Sequence, residues 1–100
     1  MIKGINDKEL KIIKNILDNY NNYNFYFYGS RIKGNFSKTS DLDILIKGDS
    51  AIPLNTLEEL KEVFDKSMLP YIVNFVDFYS IDEKFYKLIE NDLVMYNEND

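Results

Sequence analysis

Two aspartates stand two residues apart at the head of an apolar run, "DLDILIK", and could bind a metal ion. Side chains alternate faces along a strand, so Asp41 and Asp43 point the same way while Leu42 and Ile44 serve the other face. Two like charges that close repel unless a cation lies between them. Because Mg²⁺ typically binds one or two carboxylates together with substrate phosphate oxygens, the pair predicts a metal site for phosphoryl chemistry.

A candidate phosphate-binding turn precedes the aspartates. Gly29 and Ser30 directly follow a short aromatic run; glycine allows a tight turn and close backbone approach, and the serine hydroxyl and the amides can bind phosphate. Arg31 and Lys33 follow at positions from which they could neutralise a triphosphate. Ser40, just before the first aspartate, could cap the turn or reach a phosphate oxygen. All five are predicted nucleotide-binding residues.

Two other phosphate-related patterns fit the sequence less well. A Walker loop needs G-x-x-x-x-G-K-[ST]; Gly29 and Gly34 have the first spacing, but Asn35 and Phe36 follow. The Asp-x-Asp pair also occurs in glycosyltransferases and in phosphatases whose nucleophilic aspartate ends a strand. Here the pair begins the strand, which argues against the phosphatase interpretation.

Composition limits the chemistry further. The chain of 100 residues has no Cys and no His, so thiol nucleophiles, imidazole bases and the usual zinc ligands are excluded, and any metal should be oxygen-liganded. A net charge of −5 argues against direct nucleic-acid binding through phosphates. Since no apolar run approaches the roughly 20 residues of a membrane span and the N-terminus lacks a signal peptide's apolar core, we expect no membrane association and a cytoplasmic location.

Hydrophobic spacing predicts the elements that must position these residues. Capping boxes at Thr56-x-x-Glu59 and Ser80-x-x-Glu83 should open two of the helices. Val63 in the first of these and Leu88 in the second are expected to face the core. The predicted order is α-β-β-α-β-α, an α+β fold with a small mixed sheet flanked by helices. The predicted segments are a helix from Asn6 or Asp7 to about 20, strands at 25–28, 41–47 and 71–79, helices from 56 and 80, an extended piece at 93–96, and a polar tail at about 97–100 of a single domain spanning 1–100.

The combination of turn, spacing and acidic pair resembles a known signature. Gly29-Ser30, ten residues, and then Asp41-Leu-Asp43 with strands on both sides resembles the DNA polymerase beta-like nucleotidyltransferase superfamily, and most closely its stand-alone minimal nucleotidyltransferases. The later stretches "LPYIVNFVDFYSI" and "LIENDLVMY" are similar to that family's third strand and C-terminal end. The resemblance implies that two metal ions, Mg²⁺ or Mn²⁺, bridge the triphosphate of ATP or another NTP. It also implies that Asp41 and Asp43 ligate the metal and that Gly29 and Ser30 cradle the phosphates.

The third metal ligand of the family is the point at which this sequence departs from the pattern. The minimal family commonly has Val-Asp-hydrophobic-hydrophobic-Asp on its third strand, where the first Asp is the metal-site residue. Here the matching residues run from Val73 to Asp77, so the ligand position is Asn74, which offers a neutral oxygen and no base. Asp77 could complete the catalytic set if the strand bends or slips, since on a regular strand it lies on the opposite face. Both candidates stay open.

The resemblance also implies a partner. Minimal nucleotidyltransferases are typically encoded beside a small all-helical protein, either a HEPN-type toxin or a substrate-binding subunit, and we expect AMP transfer from ATP to a hydroxyl of that partner. The chain would then be an antitoxin or a catalytic subunit, in a homo- or hetero-oligomer. The alternative is a degenerate, non-catalytic fold that acts by binding its partner. Transfer to small molecules such as aminoglycosides is disfavoured because the sequence shows no acceptor domain, and nucleic-acid polymerisation by the acidic charge.

Overall fold

The computed structural model describes residues 2–98, which fold into one four-stranded mixed sheet packed by helices. No helix in this range is long and apolar enough to cross a membrane. The elements in chain order are α1 Asp7–Leu17, β1 Asn24–Tyr28, α2 Ser30–Lys33, β2 Leu42–Lys47, α3 Leu54–Asp65, β3 Val73–Asp77, α4 Glu83–Ile89, a 3-10 turn Glu90–Asp92, β4 Val94–Met95 and a 3-10 turn Tyr96–Glu98.

The sheet has the strand order β3-β2-β1-β4. Strand β1 is antiparallel to both β2 and β4, whereas β2 and β3 are parallel. The central strand β2 is buried on both faces because helices cover both. Leu42, Ile44 and Ile46 pack with residues of α1 and α3 on one face, and Leu45 packs with Ile89 of α4 on the other. The predicted α+β fold with a small mixed sheet is therefore confirmed, whereas the predicted order α-β-β-α-β-α lacks the short helix α2 and the strand β4.

The helix starts differ from the predicted capping boxes. Helix α3 begins at Leu54, two residues before Thr56, because Pro53 supplies a fixed φ of −56° and its carbonyl accepts the first helical N–H groups. Helix α4 begins at Glu83, where the Asp82 side chain accepts the Phe85 N–H at 2.7 Å. Both predicted caps, at residues 56 and 80, are therefore wrong. The cap of α1 is Asn6, with the reciprocal capping box completed by Glu9, and α1 ends at Leu17 rather than near residue 20.

Two side chains that were predicted to face the core are exposed. Val63 is 39% exposed and Leu88 is 71% exposed. The buried stripe of α3 runs through Leu60 and Phe64, and the end of α4 is buried at Ile89, so each exposed residue lies on the outer side of its helix.

The C-terminal part of the chain is held to the sheet. The predicted extended segment 93–96 contains β4, which pairs with β1. Asn97, placed in a polar tail by the sequence, accepts the Phe25 N–H at 2.9 Å through Oδ1, so the predicted tail does not begin there. Residues 99 and 100 of that tail lie outside the described residues.

Candidate active site

The parallel pairing of β2 and β3 brings three polar side chains to one end of the sheet. Asp43 lies opposite Asn74 in the strand register. The Asn74 Nδ2 atom donates to Asp41 Oδ2 at 2.9 Å and to Asp43 Oδ1 at 3.3 Å. The structure thus places the two predicted metal ligands and the third-ligand position together.

The local field at this end of the sheet favours positive charge. Asp43 is half-buried, and its pKa is raised above the ordinary value by burial; the hydrogen bond from Asn74 lowers it and the charge of Asp41 raises it further. The amide N–H₂ group supplies a partial positive charge between the two carboxylates.

In the region 2–98 no group of three or more His, Cys, Asp or Glu side chains could hold a metal ion.

The donor set fits a hard divalent cation. Two carboxylates share one positively polarised partner, which is the role that an ion such as Mg²⁺ takes with carboxylate ligands. The asparagine also carries an amide oxygen, which rotation about its last side-chain bond would exchange for the N–H₂ group. Asp41, Asp43 and Asn74 are therefore the residues that would hold the ion. The structure supports Asn74, rather than Asp77, as the third position.

Gly29 links the end of β1 to the site through its backbone conformation. Its φ of 89° and ψ of −173° lie in a region open essentially to glycine. A Cβ atom at this position would collide with Asp43 Oδ2. The short helix α2 begins at the next residue, Ser30, which is exposed. The predicted tight turn is confirmed, and its close approach to a site carboxylate explains why glycine is needed there.

Arg31 does not face the site. It is 3% exposed, and its guanidinium lies 3.9 Å from the ring centroid of Tyr71 and 4.8 Å from that of Phe36. Every guanidinium nitrogen donates to a backbone carbonyl, so the buried side chain is held within the protein. This corrects the prediction that Arg31 binds nucleotide. The carbonyls that accept these bonds, at 2.8 to 3.1 Å, belong to Gly4, Ser37, Lys38 and Ser40.

The two other predicted phosphate neighbours have partners within the protein. Lys33 Nζ lies 3.2 Å from Asp92 Oδ2, and both side chains are partly exposed. Ser40 Oγ accepts the Ser37 N–H at 2.9 Å, so the serine caps the turn of the loop, one of the two roles predicted for it. Nucleotide binding by Gly29, Ser30, Lys33 and Ser40 stays a prediction.

Asp77 lies outside the site, which corrects its assignment as a catalytic candidate. It pairs with Ile46, three positions along the strand from Asp43, and is 5% exposed. Its Oδ2 accepts the Ile52 N–H at 2.8 Å and its Oδ1 accepts the Tyr79 N–H at 3.0 Å. The carboxylate therefore anchors the loop after β2 and the turn after β3. Strand β3 neither bends nor slips enough to bring it to the metal ligands.

The sequence interpretation missed Tyr28 as a neighbour of the site. It lies opposite Asp43 in the antiparallel register and is buried against Phe85 of α4. Burial, with the charge of Asp43, raises the pKa of Tyr28 to about 12, so its hydroxyl stays neutral. The alternation of side chains along β1 predicts which face of the sheet Tyr28 lies on. Its pairing with Asp43, however, depends on the strand register, which the local sequence does not fix.

A small mixed sheet with an acidic pair at one strand head, a polar residue on the parallel neighbour and a glycine turn against the pair defines a polymerase beta-like nucleotidyltransferase. Comparison with known proteins agrees. A family model described as polymerase beta, nucleotidyltransferase, matches residues 11–100, and the chain therefore belongs to this family. A relative from Haemophilus influenzae, named probable protein adenylyltransferase MntA, is 34% identical over 97 residues, which cover 96% of this chain and 85% of the relative.

Replacing Gly29 by alanine should disable the site at a modest cost in stability. The new Cβ would push Asp43 aside, and a side chain in this backbone conformation would cost about 1–3 kcal/mol. We expect at least a hundredfold loss of nucleotidyl transfer while the circular dichroism spectrum is kept. Gly34→Ala is the matched control, because it has a similar φ of 93° but its Cβ would meet the flexible Lys3 side chain. Equal activity losses in the two variants would contradict this role.

Replacing Asp77 by asparagine should reduce stability without removing activity. One of the two backbone N–H groups would face an amide N–H₂ group in place of an oxygen, which costs about 1–3 kcal/mol in the free energy of unfolding. Urea denaturation measures the loss, and transfer per folded molecule should be unchanged. Asp65→Asn, on the exposed side of α3, serves as the control for stability. Unchanged stability with abolished transfer would return Asp77 to the catalytic set.

Proposed function

We propose that the chain is a Mg²⁺-dependent adenylyltransferase that moves AMP from ATP to a hydroxyl group of a partner protein. The observation that carries this proposal is the convergence of Asp41, Asp43 and position 74 beside the Gly29 turn. Membership of the nucleotidyltransferase family supports the reaction class. The name of the relative, a probable protein adenylyltransferase, supports both the nucleotide and the kind of acceptor.

The reaction is a substitution at the α-phosphorus of ATP. The acceptor oxygen forms a bond to that phosphorus, the bond to the β-phosphate oxygen breaks, and pyrophosphate leaves. Mg²⁺ held by Asp41 and Asp43 would neutralise charge on the phosphate oxygens. The turn at Gly29 and Ser30 would receive the phosphate chain. Because the amide of Asn74 is not a base, the hydroxyl proton passes to one of the two carboxylates or to water.

The proposed acceptor is a small all-helical protein encoded beside this chain. In this proposal the partner is a HEPN-type toxin neutralised by adenylylation, with this chain as its antitoxin in the cytoplasm, or a substrate-binding subunit of a two-protein transferase. Eight tyrosines and seven phenylalanines in 100 residues supply aromatic side chains of the kind enriched at protein interfaces.

A second candidate function is binding without catalysis. The observation that favours it is the Asn74 amide, which donates to both carboxylates and so satisfies the site without any ion. In this alternative the chain neutralises its partner by contact, and the nucleotidyltransferase fold serves as a scaffold.

Transfer of label from ATP distinguishes the two functions. The chain and its genomic neighbour are co-purified and incubated with α-³²P-ATP and Mg²⁺, and label on each protein is measured. Adenylylation predicts label on the neighbour that falls at least a hundredfold in the Asp43→Asn variant and in the presence of EDTA. An unlabelled neighbour in a complex that stays intact would exclude adenylylation and support binding without catalysis.

Replacing Asn74 by aspartate should make stability depend on the metal. Three carboxylates would then meet without the amide donor, so we expect the melting temperature in EDTA to fall by about 5–10 °C, corresponding to 1–2 kcal/mol. Millimolar Mg²⁺ should recover most of that loss, and the wild type should shift less. An Asn74→Asp variant whose melting temperature is the same with and without Mg²⁺ would contradict a metal site at this position.

A further inference from the structure

A groove runs along one flank of α1 on the side of the molecule opposite to α4. We call it the α1 groove; it consists of two adjoining cavities of about 540 and 430 Å³ that share Asn6, Glu9 and Pro70. Two of the apolar side chains that line it are open to solvent. Met68 is 87% exposed and Phe36 is 40% exposed.

The rim of the α1 groove is basic although the chain as a whole is acidic. Four lysines line the two cavities against one glutamate, while the net charge of the chain is −5. The glutamate, Glu9, is already engaged by the N-cap of α1 and by the Tyr71 hydroxyl at 3.2 Å. None of the four lysines forms an ion pair with another residue of the part of the chain described. These lysines are Lys3, Lys8, Lys11 and Lys38.

One wall of the α1 groove is continuous with the site. Residues 35–40 form a loop that carries Phe36 and Lys38 and ends at Asp41. Arg31 ties this loop to the N-terminal segment by donating to carbonyls on both sides, including Gly4 and Ser40. A protein bound in the groove would therefore contact the same loop that leads into the carboxylate pair.

We propose that the α1 groove is the docking surface for the acceptor protein, and that it takes an acidic, partly apolar surface of that protein. Charge complementarity argues for an acidic occupant, because a basic rim on an acidic chain attracts negative charge and repels other positive surfaces. The exposed Phe36 and Met68 supply apolar contacts, one in each of the two cavities. The identity of the occupant as the acceptor rests on the proposed function.

The test is a charge reversal with a matched control. Lys8 and Lys11 are replaced together by glutamate, and the affinity for the genomic neighbour is measured by isothermal titration calorimetry at 50 and 300 mM NaCl. The control replaces Lys84 and Lys87 by glutamate, because these two exposed lysines have the same spacing and the same positions from the start of helix α4. Lys87 also lies 3.4 Å from Glu83, so the control includes the loss of one exposed ion pair. Asp43→Asn is present in all chains so that no transfer occurs during the titration.

We expect the groove reversal to weaken binding at least tenfold at 50 mM NaCl and to flatten its salt dependence, with less than a twofold change in the control. A second variant, Met68→Asp, should also weaken binding at least fivefold, and melting curves verify that each variant is folded. Unchanged affinity in both groove variants, or equal losses in the groove and control reversals, would overturn the proposal. A neighbour that does not bind the Asp43→Asn chain with its lysines intact would also overturn it.

Label transfer in chains that retain Asp43 separates this proposal from the proposed function. If the Lys8 and Lys11 reversal raises the neighbour concentration needed for half-maximal labelling at least tenfold and keeps the maximal rate, the groove docks the acceptor. Normal labelling at low neighbour concentration would overturn the groove and leave adenylylation standing. An unlabelled neighbour whose binding nevertheless depends on Lys8 and Lys11 would overturn adenylylation and establish the groove as the surface for a binding partner.

Discussion

The site depends on holding two like charges together at the end of one strand. At an effective dielectric constant near 20, two carboxylates 4 Å apart repel by about 4 kcal/mol, and partial burial of Asp43 adds to that cost. The parallel register of β2 and β3 offsets part of this repulsion. It sets Asn74 beside Asp43, and the amide N–H₂ group of Asn74 donates to both carboxylates. The Gly29 turn completes the enclosure by leaving no Cβ against the carboxylate.

An asparagine at the third position changes what the site requires. An aspartate there would bring three negative charges together and would make the fold depend on a cation. With the amide in place of a third carboxylate, the site carries two negative charges, and the amide donates a hydrogen bond to each carboxylate when no metal is bound. The lower negative charge also reduces the affinity for divalent ions. The same residue can thus stabilise the empty site and, through its oxygen, contribute to an occupied one. Asn74 therefore makes the stability of the fold less dependent on metal binding.

The sequence predicts those features that depend on local pattern. Alternation along a strand predicts the common face of Asp41 and Asp43, and Asn74 donates to both, although β2 itself begins at Leu42, one residue later than predicted. The glycine at position 29 is needed for the turn that it was predicted to form. Asp77 and Pro53 show where local pattern fails. The partners of Asp77 are backbone N–H groups at Ile52 and Tyr79, one of them twenty-five residues away, and no local signal announces them. The start of α3 follows from the proline backbone rather than from the nearby capping-box letters.

Arg31 shows how the loop before the acidic pair acquires its shape. A cation directly after a Gly-Ser turn fits a phosphate ligand equally well on sequence grounds, but the guanidinium is stacked against Tyr71 and satisfied by carbonyls. Its rigid fork of donors gathers carbonyls from two segments, which a lysine with a single ammonium group would do poorly. One of those segments leads to Asp41, and the other lines the α1 groove. The buried arginine therefore connects the loop before the carboxylates to the segment that lines the surface proposed for the partner.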